Sequence, residues 1–388
     1  MSAQRICSRC LMDETAPGII FDADGVCDYC HLHDGLDRRY PLTPEGEAKF
    51  LQMVERIKEH GRGKAYDCVC GLSGGRDSTY TLYMAKKVFG LRPLAVYFND
   101  GFGNPVAGKN MQTATARLGV DMRTVTSDWR ESKDLKLAAL KASIPELNLA
   151  TDIGIATALY GMAAKEDVKY IFIGQSFRTE GISPLEWHYL DGRYLHAISR
   201  RFGTLRLRPW KPTDPGFHLD LPQLMYYTLY RRIRTVMPLY HLRYVRTEVD
   251  ELLVRELDWK NTGAHYYDDL FQGLLTYVLR TKFNVDRRKF NYSALIRSGQ
   301  MTREEGLQKI SEVSVIEDEK VIGLCLKRMG ITREDFEAML AQPRKTFRDY
   351  PNLMSLFSRM KWAIWVLAKL QLIPMSIYEK YCNLGKRT

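Results

Sequence analysis

The chain has 388 residues, which exceeds a typical single core and favours two or three domains. Its 57 basic and 46 acidic residues leave a formal net charge of +11, which favours acidic partners such as nucleotides, nucleotide-linked sugars, nucleic acid or anionic surfaces. The N-terminus lacks the apolar run of a secretory signal, and the apolar stretch 362–373 is too short for a membrane span. We therefore expect a cytoplasmic protein.

Four of the eight cysteines lie in two short pairs near the N-terminus. Cys7 and Cys10 form one C-x2-C pair, and Cys27 and Cys30 form a second pair after sixteen intervening residues. Two such pairs can converge on one tetrahedral Zn²⁺, and a site closed by four thiolates has no open position for catalysis. We therefore expect structural zinc. A redox pair or two disulfides is the alternative, which a cytoplasmic location disfavours.

A glycine-containing hexapeptide, Ser73-Gly-Gly-Arg-Asp-Ser78, follows a strand-like run and opens a helix-like run. The amides of Gly74 and Gly75 and the free N–H groups of a starting helix can wrap a pyrophosphate. Ser73 and Ser78 add hydroxyl groups, and Asp77 can hold the accompanying Mg²⁺. The alternative is an ordinary tight turn with Asp77 or Ser78 as a helix N-cap. All six positions match the signature of PP-loop enzymes, which cleave ATP to AMP and pyrophosphate.

Strand and helix patterns alternate on both sides of this loop. The predicted strands are 67–72, 93–98, 122–125 and 170–174, and the predicted helices are 78–89, 106–118, 135–141 and 152–165. This βαβ alternation predicts a doubly wound parallel sheet over residues 60–215, with an α/β fold class. The strand ends, at 73–78, 99–103 and 174–180, should converge on one ligand crevice.

The remainder of the chain has a different pattern. Beyond residue 216, long helical stretches rich in Tyr, Leu and Arg replace the alternation, and Thr302 with Glu305 predicts a capping box in a helix over 298–310. Three domains are therefore expected: a zinc-binding knuckle at 1–40, an ATP-binding α/β domain at 41–215, and a helical substrate or partner domain at 216–388.

Three features in this order resemble the bacterial N-acetyl sugar amidotransferases, which are PP-loop enzymes of O-antigen and other surface-polysaccharide assembly. They are the four-cysteine knuckle, the loop SGGRDS, and the tract KFNVDRRKFNYSALIRSGQMTREE over Lys282–Glu305. The resemblance implies an adenine nucleotide alpha hydrolase-like fold with ATP, Mg²⁺ and structural Zn²⁺. It also implies a nucleotide-linked acetamido sugar as substrate, with ammonia from glutaminase and channel subunits similar to those of histidine biosynthesis.

The resemblance assigns roles on the nucleotide side. Asp77, Ser73 and Ser78 would carry the phosphate chemistry. Glu180 matches an acidic position after the fourth strand, where it would contact substrate or metal; an exposed loop carboxylate is the alternative. Further candidate residues for the nucleotide crevice are Phe98, Asn99 and Asp100 on the adenosine side, and Gly174 and Gln175, which close the crevice.

The candidate substrate-binding residues lie in the C-terminal third. Asp286, Arg287 and Arg288 would meet a sugar-nucleotide diphosphate through guanidinium forks; a solvated basic turn is the alternative. His265 lies in a stretch similar to a family motif, and a hydrogen-bonded structural histidine is the alternative.

The chain departs from the family pattern at several of these positions. Ala264 and Tyr267 stand where a Lys and a Glu are expected, unless Asp268 or Asp269 replaces the Glu, and Asn291 stands where a His is expected. Gln175 similarly replaces an Asn. These departures bear on the sugar and the acceptor group, and they leave the ATP chemistry untouched.

The implied reaction is the conversion of an acetamido group into an acetamidino group. An amide is a poor electrophile, so its oxygen would first attack the α-phosphorus of ATP, after which ammonia would displace AMP. Cys68 and Cys70 lie on one face of a strand and are interpreted as core residues, so the ammonia must come from a partner. The alternatives are a PP-loop tRNA thiolase, although nucleic acid is the less expected partner, and a non-catalytic zinc-knuckle binding protein.

Overall fold

A parallel sheet forms the centre of the protein. The structure is a computed structural model and describes residues 5–262, 267–312, 317–370, 372–373 and 375–383. The strands of the sheet are β1 (Cys68–Gly71), β2 (Pro93–Asn99), β3 (Met122–Thr126), β4 (Tyr170–Phe172) and β5 (Arg234–Val236). Their order is β3-β2-β1-β4-β5, and each neighbouring pair is parallel. This is a doubly wound order in which the winding direction reverses between β1 and β4.

Helices cover both faces of this sheet and make up most of the C-terminal region. The α-helices of the described residues are α1 (Asp28–Arg39), α2 (Pro44–Gly61), α3 (Arg76–Tyr83), α4 (Pro105–Leu118), α5 (Trp129–Lys141), α6 (Leu149–Lys165), α7 (Gly192–Phe202), α8 (Leu221–Met225), α9 (Arg246–Leu257), α10 (Phe271–Phe283), α11 (Arg287–Arg297), α12 (Arg303–Ser311), α13 (Glu319–Met329), α14 (Arg333–Ala341), α15 (Met354–Arg359), α16 (Lys361–Lys369) and α17 (Met375–Tyr378). Wider π-helical turns extend three of them, at Met84–Val88, Tyr226–Tyr230 and Glu379–Asn383.

Strand β1 shows why the sheet is buried on both faces. Cys68 and Cys70 pack into the core that contains Phe50 of α2 and Leu82 of α3. Val69 points to the opposite face, because successive side chains of a strand alternate, and it packs in the core formed with α6. A strand covered on both sides needs a continuous apolar run, which this segment has. The interpretation of the two cysteines as core residues is confirmed.

The predicted α/β fold class is confirmed, with differences at the element ends. Helix α5 begins at Trp129 rather than at 135, because the carboxylate of Asp128 accepts a hydrogen bond from the Arg130 amide at 2.9 Å and caps the helix. The Thr302–Glu305 capping box is also confirmed, but its helix begins at Arg303 rather than at 298.

The sheet extends beyond residue 215, where its end was expected. Strand β5 has three residues, and it pairs with β4 through Tyr170 and Arg234, Ile171 and Thr235, and Phe172 and Val236. So short a strand has too few residues for a period-two pattern to identify it, and its pairing with β4 establishes it. The domain boundaries remain a prediction.

The four N-terminal cysteines form one buried cluster. Each is 0 % exposed, and their sulfur atoms are 3.9 Å apart for Cys7 and Cys30, 3.6 Å for Cys10 and Cys27, and 3.7 Å for Cys27 and Cys30. A tetrahedral zinc ion with Zn–S bonds of about 2.3 Å separates its sulfur ligands by about 3.8 Å. A four-iron cluster would hold four thiolates farther apart, because each binds a different iron atom. The cluster therefore fits a single tetrahedral ion such as Zn²⁺.

The apolar stretch near the C-terminus lies mainly in one short helix, α16. In this helix Trp362 is 74 % exposed and Ala368 is buried. Among the described residues, none of the helices combines the length and the hydropathy that crossing a membrane would require. One edge of α16 therefore contacts the core and the other faces solvent.

Loss of the metal should unfold the N-terminal region. Cys27→Ser is expected to abolish stoichiometric zinc and to lower the free energy of unfolding by about 4 kcal/mol or more, because binding of the metal is coupled to folding. Metal analysis of the purified protein and denaturant unfolding with and without chelator measure both effects. Cys325→Ser, a buried cysteine outside the cluster, is the matched control and should retain zinc. Full zinc content in Cys27→Ser would contradict the assignment.

Candidate active site

A cavity of about 780 Å³ opens at the carboxyl ends of β1, β2 and β4. This is the switch point of the sheet, where doubly wound folds bind their ligands. The predicted site residues that line it are Ser73, Gly75, Asp77, Ser78, Phe98, Asp100, Gly174, Gln175, Glu180, Arg287 and Arg288. Gly74, Asn99 and Asp286 are not among its lining residues, and His265 and Ala264 lie outside the described residues.

The hexapeptide forms the turn between β1 and α3. Helix α3 begins at Arg76, two residues earlier than predicted, with Gly75 at the N-cap position. The amide of Gly75 donates to the Ser73 hydroxyl at 3.3 Å, and the hydroxyl groups of Ser73 and Ser78 are 3.0 Å apart. The first amides of α3 have no intrahelical acceptor, and the helix dipole places partial positive charge on them. The turn therefore suits an anionic ligand.

Two glycines allow the backbone segments of this site to approach one another closely. Gly74 has a φ of +80°, and a Cβ atom there would lie 2.1 Å from the Ala107 carbonyl oxygen. Its own carbonyl accepts hydrogen bonds from Asn110 Nδ2 and Trp259 Nε1, both at 3.0 Å. At Gly174, a Cβ atom would lie 2.6 Å from the carbonyl carbon of Asp77. Gly74 therefore shapes the loop from outside the cavity.

Two carboxylates meet beside the loop. Asp77 is 8 % exposed; its Oδ1 accepts a hydrogen bond from the Tyr244 hydroxyl, and its buried Oδ2 accepts none from the part of the chain that the structure describes. Burial and the charge of Asp77 raise the pKa of Glu180 well above its ordinary value. Glu180 lines the cavity and is not an exposed loop carboxylate. An unsatisfied buried oxygen beside a second carboxylate fits a hard cation such as Mg²⁺.

The segment after α9 supplies two further acidic residues, which the sequence analysis named only as possible replacements for an expected Glu. Asp268 and Asp269 both line the cavity. The Asp268 carboxylate contacts Ser73, and burial raises the pKa of Asp268 above its ordinary value despite that contact. Two backbone hydrogen bonds hold the segment against the end of β2, from the Asn104 amide to the Asp268 carbonyl at 3.0 Å and from the Leu270 amide to the Phe102 carbonyl at 2.8 Å.

Asp100 belongs to a buried polar network at the edge of the cavity. Its Oδ2 lies 2.8 Å from Lys136 Nζ and accepts from the Thr151 hydroxyl at 2.7 Å. Lys136 is 0 % exposed, and its ammonium lies 3.9 Å from the centre of the Phe271 ring. Each charge is thus paired and hydrogen-bonded, as buried charges must be. Lys136 was not identified in the sequence analysis. The indication available in the sequence was the occurrence of this lysine within the apolar run of α5.

Basic side chains also line the cavity. Arg287 donates from Nη1 to Gln272 Oε1 at 2.6 Å. Arg288 forms a forked contact with Asp286, at 3.1 Å from Nε to Oδ1 and 2.8 Å from Nη2 to Oδ2. Asp286 also caps α11 by accepting from the Arg288 amide at 3.0 Å. Asp286 therefore holds the helix and its arginine in place outside the cavity lining.

Arg246 is a cavity residue that the sequence gave no reason to select. It is the first residue of α9 and lines the cavity, and its positive charge partly offsets the raised pKa of Glu180. Helix α9 is fixed to the phosphate loop by the ion pair between Arg76 and Asp250. That pair joins residues far apart in the sequence, so no local motif could have indicated it.

The fold and the site define the class. A parallel sheet of this order, with the hexapeptide turn at the end of β1 and a ligand-sized cavity over it, has the architecture of the PP-loop enzymes, the class that cleaves ATP to AMP and pyrophosphate. Residues 261–363 match the family model described as "LPS biosynthesis protein WbpG-like, C-terminal domain". This match confirms the resemblance to the surface-polysaccharide family that the three motifs indicated. It links the enzyme to lipopolysaccharide biosynthesis.

Known proteins similar to this chain come from several organisms. An uncharacterized protein, MJ1599 of Methanocaldococcus jannaschii, is 25 % identical over 221 residues, which is 54 % of this chain and 75 % of the relative. The NH3-dependent NAD synthetase of Campylobacter jejuni is 14 % identical, with a TM-score of 0.32 over 77 % of this chain and 98 % of that one. The U34-tRNA thiolase NcsA of Methanococcus maripaludis, solved with its 4Fe-4S cluster, is 12 % identical, with a TM-score of 0.32 over 80 % and 90 %.

Adding one methyl group at Gly174 should disturb both the fold and the phosphate loop. Gly174→Ala is expected to cost about 2 kcal/mol of stability, because the new Cβ must push the backbone of Asp77 away. Gly108→Ala, in α4, is the matched control: its Cβ meets nothing within 4 Å, so stability should be unchanged or slightly higher. Urea unfolding and calorimetric titration with ATP measure the two effects. Equal stability and equal ATP affinity in both variants would contradict the close approach.

Proposed function

We propose that this enzyme is an AMP-forming amidotransferase that converts the acetamido group of a nucleotide-linked sugar into an acetamidino group. One observation carries the proposal. The cavity above the phosphate loop is closed by residues of the WbpG-like segment, including Asp268, Gln272, Arg287 and Asn291. A nucleotide on the loop would therefore face an acceptor bound against that segment, as nucleotidyl transfer requires.

The two ends of the cavity suit the two reactants. An apolar patch formed by Leu72, Val96, Phe98, Ile155 and Leu159 lines the side next to the sheet and suits an adenine ring. Arg246, Arg287 and Lys309 line the other side together with the amides of Gln272 and Asn291. Guanidinium groups suit the diphosphate of a sugar nucleotide, and side-chain amides suit sugar hydroxyl groups. Asn291 retains hydrogen-bonding capacity where the family pattern has a histidine.

The chemistry follows from this arrangement. The acetamide oxygen attacks the α-phosphorus of ATP, the bond to the β-phosphate oxygen breaks, and pyrophosphate departs toward Ser73, Gly75 and Ser78. Ammonia then attacks the activated carbon, AMP leaves with the former amide oxygen, and the amidine forms. The amides of the loop and the start of α3 stabilise the charge that develops on the leaving pyrophosphate. Positioning and electrostatics therefore account for most of the protein's contribution.

Asp77 and Glu180 are the residues that would hold Mg²⁺. When bound there, the ion would neutralise charge on the phosphates and lower the pKa of Glu180. The Tyr244 hydroxyl donates to Oδ1 of Asp77, and Oδ2 of Asp77 has no hydrogen-bond partner among the described residues. Arg246 lies on the same side and would balance the remaining phosphate charge.

The nitrogen source is proposed to be a separate glutaminase with a channel subunit. All eight cysteines are buried: four form the cluster, two lie in β1, Cys325 contacts the Leu270 carbonyl, and Cys382 contacts the Phe357 carbonyl. None of the described lining residues of the cavity is a cysteine. A glutaminase or a sulfur-transfer step would need a thiol at the reacting centre. This placement favours ammonia over the thiolase alternative.

Asp77 should be indispensable for ATP cleavage. Asp77→Asn is expected to lower AMP formation by about a thousandfold or more, because it removes the anionic metal ligand and leaves the loop intact. Asp128→Asn is the matched control: asparagine caps a helix as well as aspartate does, and α5 should keep its start. Coupled detection of AMP and pyrophosphate gives the rates, and circular dichroism verifies folding. ADP as the product of the wild-type enzyme would contradict the mechanism.

The proposed acceptor is tested directly with the full-length protein. The reaction contains ATP, Mg²⁺, ammonium chloride and a panel of nucleotide-linked acetamido sugars. We expect the mass of one sugar to decrease by the difference between O and NH, with formation of an equimolar amount of AMP. Mass spectrometry of the sugar and of the nucleotide products measures both. A second arm offers tRNA and a sulfide donor under the same conditions. Sulfur incorporation into tRNA, with no change in any sugar, would contradict the amidotransferase.

A further inference from the structure

Helix α11 has two faces that serve different parts of the protein. The knuckle stripe consists of Lys289, Ser293 and Arg297, which recur every four residues and so lie along one face of the helix. The cavity stripe consists of Arg287, Arg288, Asn291 and Tyr292, and all four residues line the active-site cavity. The helix therefore joins the four-cysteine knuckle to the wall of the cavity where the acceptor is proposed to bind.

The first two residues of the knuckle stripe contact the loop around the first cysteine pair. Lys289 Nζ lies 2.5 Å from Asp13 Oδ2, in a pair that is largely buried. The Leu11 amide donates to the Ser293 hydroxyl at 3.0 Å, and the Ser293 side chain is completely buried. Hydrogen bonds of this kind fix both the rotation of the helix and its position along its axis.

The third residue contacts the metal ligands themselves. Arg297 donates from Nε to Cys30 Sγ and from Nη2 to Cys10 Sγ, each at 3.3 Å. Four thiolates around one Zn²⁺ carry two excess negative charges, and a buried excess charge is costly without a compensating cation. Hydrogen bonds to thiolate ligands also restrain the metal.

We propose that the metal centre positions the acceptor wall of the active site, with Arg297 as the positioning residue that connects the thiolates to α11. The helix has 11 residues, so about 15 Å of rigid helix separates Arg297 from Arg287. A shift of the anchored end therefore displaces the cavity stripe. The phosphate loop lies on β1 and α3, whereas the hydrogen bonds of the knuckle stripe described above go to the knuckle, so a shift of α11 should weaken acceptor binding more than nucleotide binding. The identity of the acceptor rests on the proposed function, whereas the connection between the metal centre and α11 does not.

Substitutions at Arg297 test the connection at the metal. Arg297→Met removes the charge and both hydrogen bonds at similar length, and Arg297→Lys keeps the charge without the fork. In full-length protein we expect zinc to transfer to a chromophoric chelator about tenfold faster in Arg297→Met, with an intermediate rate in Arg297→Lys. In cobalt-substituted protein the thiolate-to-metal absorption band should shift. Arg303→Met is the matched control, because Arg303 donates to the Cys7 carbonyl, at 3.2 Å, and to no cysteine sulfur among the described residues.

The second set of measurements tests whether the substitution at Arg297 affects the cavity. Hydrogen exchange should rise in α11 but not in α6 of Arg297→Met, and the ATP dissociation constant should stay within about twofold of the wild type. With the sugar identified above, KM for that sugar should rise about tenfold with a smaller change in kcat. If Arg297→Met is too unstable to purify, Arg297→Lys decides by the same measurements.

The outcomes separate this proposal from the proposed function. Zinc release and α11 exchange equal to those of Arg303→Met would overturn the positioning role, even if the wild type converts a sugar. An equal loss of ATP affinity would overturn it too, because the defect would then be general. Conversely, if no sugar is converted but zinc release and α11 exchange change as expected, the connection stands and the proposed reaction fails.

Discussion

The architecture depends on how closely the phosphate turn is enclosed by the segments around it. Helix α4 meets the turn at Gly74, the end of β4 meets it at Gly174, and Trp259 donates into the Gly74 carbonyl. Neither approach leaves room for a side chain at the glycine. The first amides of α3 have no intrahelical acceptor, and Oδ2 of Asp77 has no hydrogen-bond partner among the described residues. An anion and a cation are what such a surface can stabilise.

The cavity is lined by both acidic and basic side chains, which suits the two negatively charged reactants of the proposed function. Carboxylates gather where a metal ion would lie, at Asp77 and Glu180, while Arg246 and Arg287 approach from α9 and α11. Burial, followed by the charge of Asp77, raises the pKa of Glu180. The Arg287 guanidinium has Gln272 as a partner, so it is held in place before a ligand arrives. Such preorganisation is the main way in which an enzyme of this class accelerates nucleotidyl transfer.

The N-terminal knuckle and the cavity meet at the same helix. The knuckle contacts one face of α11, and other residues of α11 line the cavity at the carboxyl ends of the strands, so the helix lies between the two. A site closed by four thiolates performs no hydrolysis. In the positioning role proposed above it acts on the cavity through α11, whose Arg297 donates to the cysteine sulfur atoms.

The sequence by itself determined the features whose signals are local. These are strands β1 to β4 with the helices between them, which follow from hydrophobic periodicity, the turn at Ser73–Ser78, the four-cysteine cluster, and the capping box at Thr302. Only the tertiary structure decided which of these features share a site. Arg246 and Lys136 have no motif, and the family-like stretches that contain or adjoin Asp268 and Arg297 do not indicate their partners. Each of the four acquires its place from partners more than ten residues away, through contacts that only chain folding creates. The reverse holds for Asn99 and Asp286, whose side chains stand beside functional residues in the sequence but bond to the Gly101 amide and to Arg288. Hydrophobic periodicity and motif spacing report interactions between residues that are close in the sequence. A binding site is formed by segments that are distant in the sequence and come together when the chain folds.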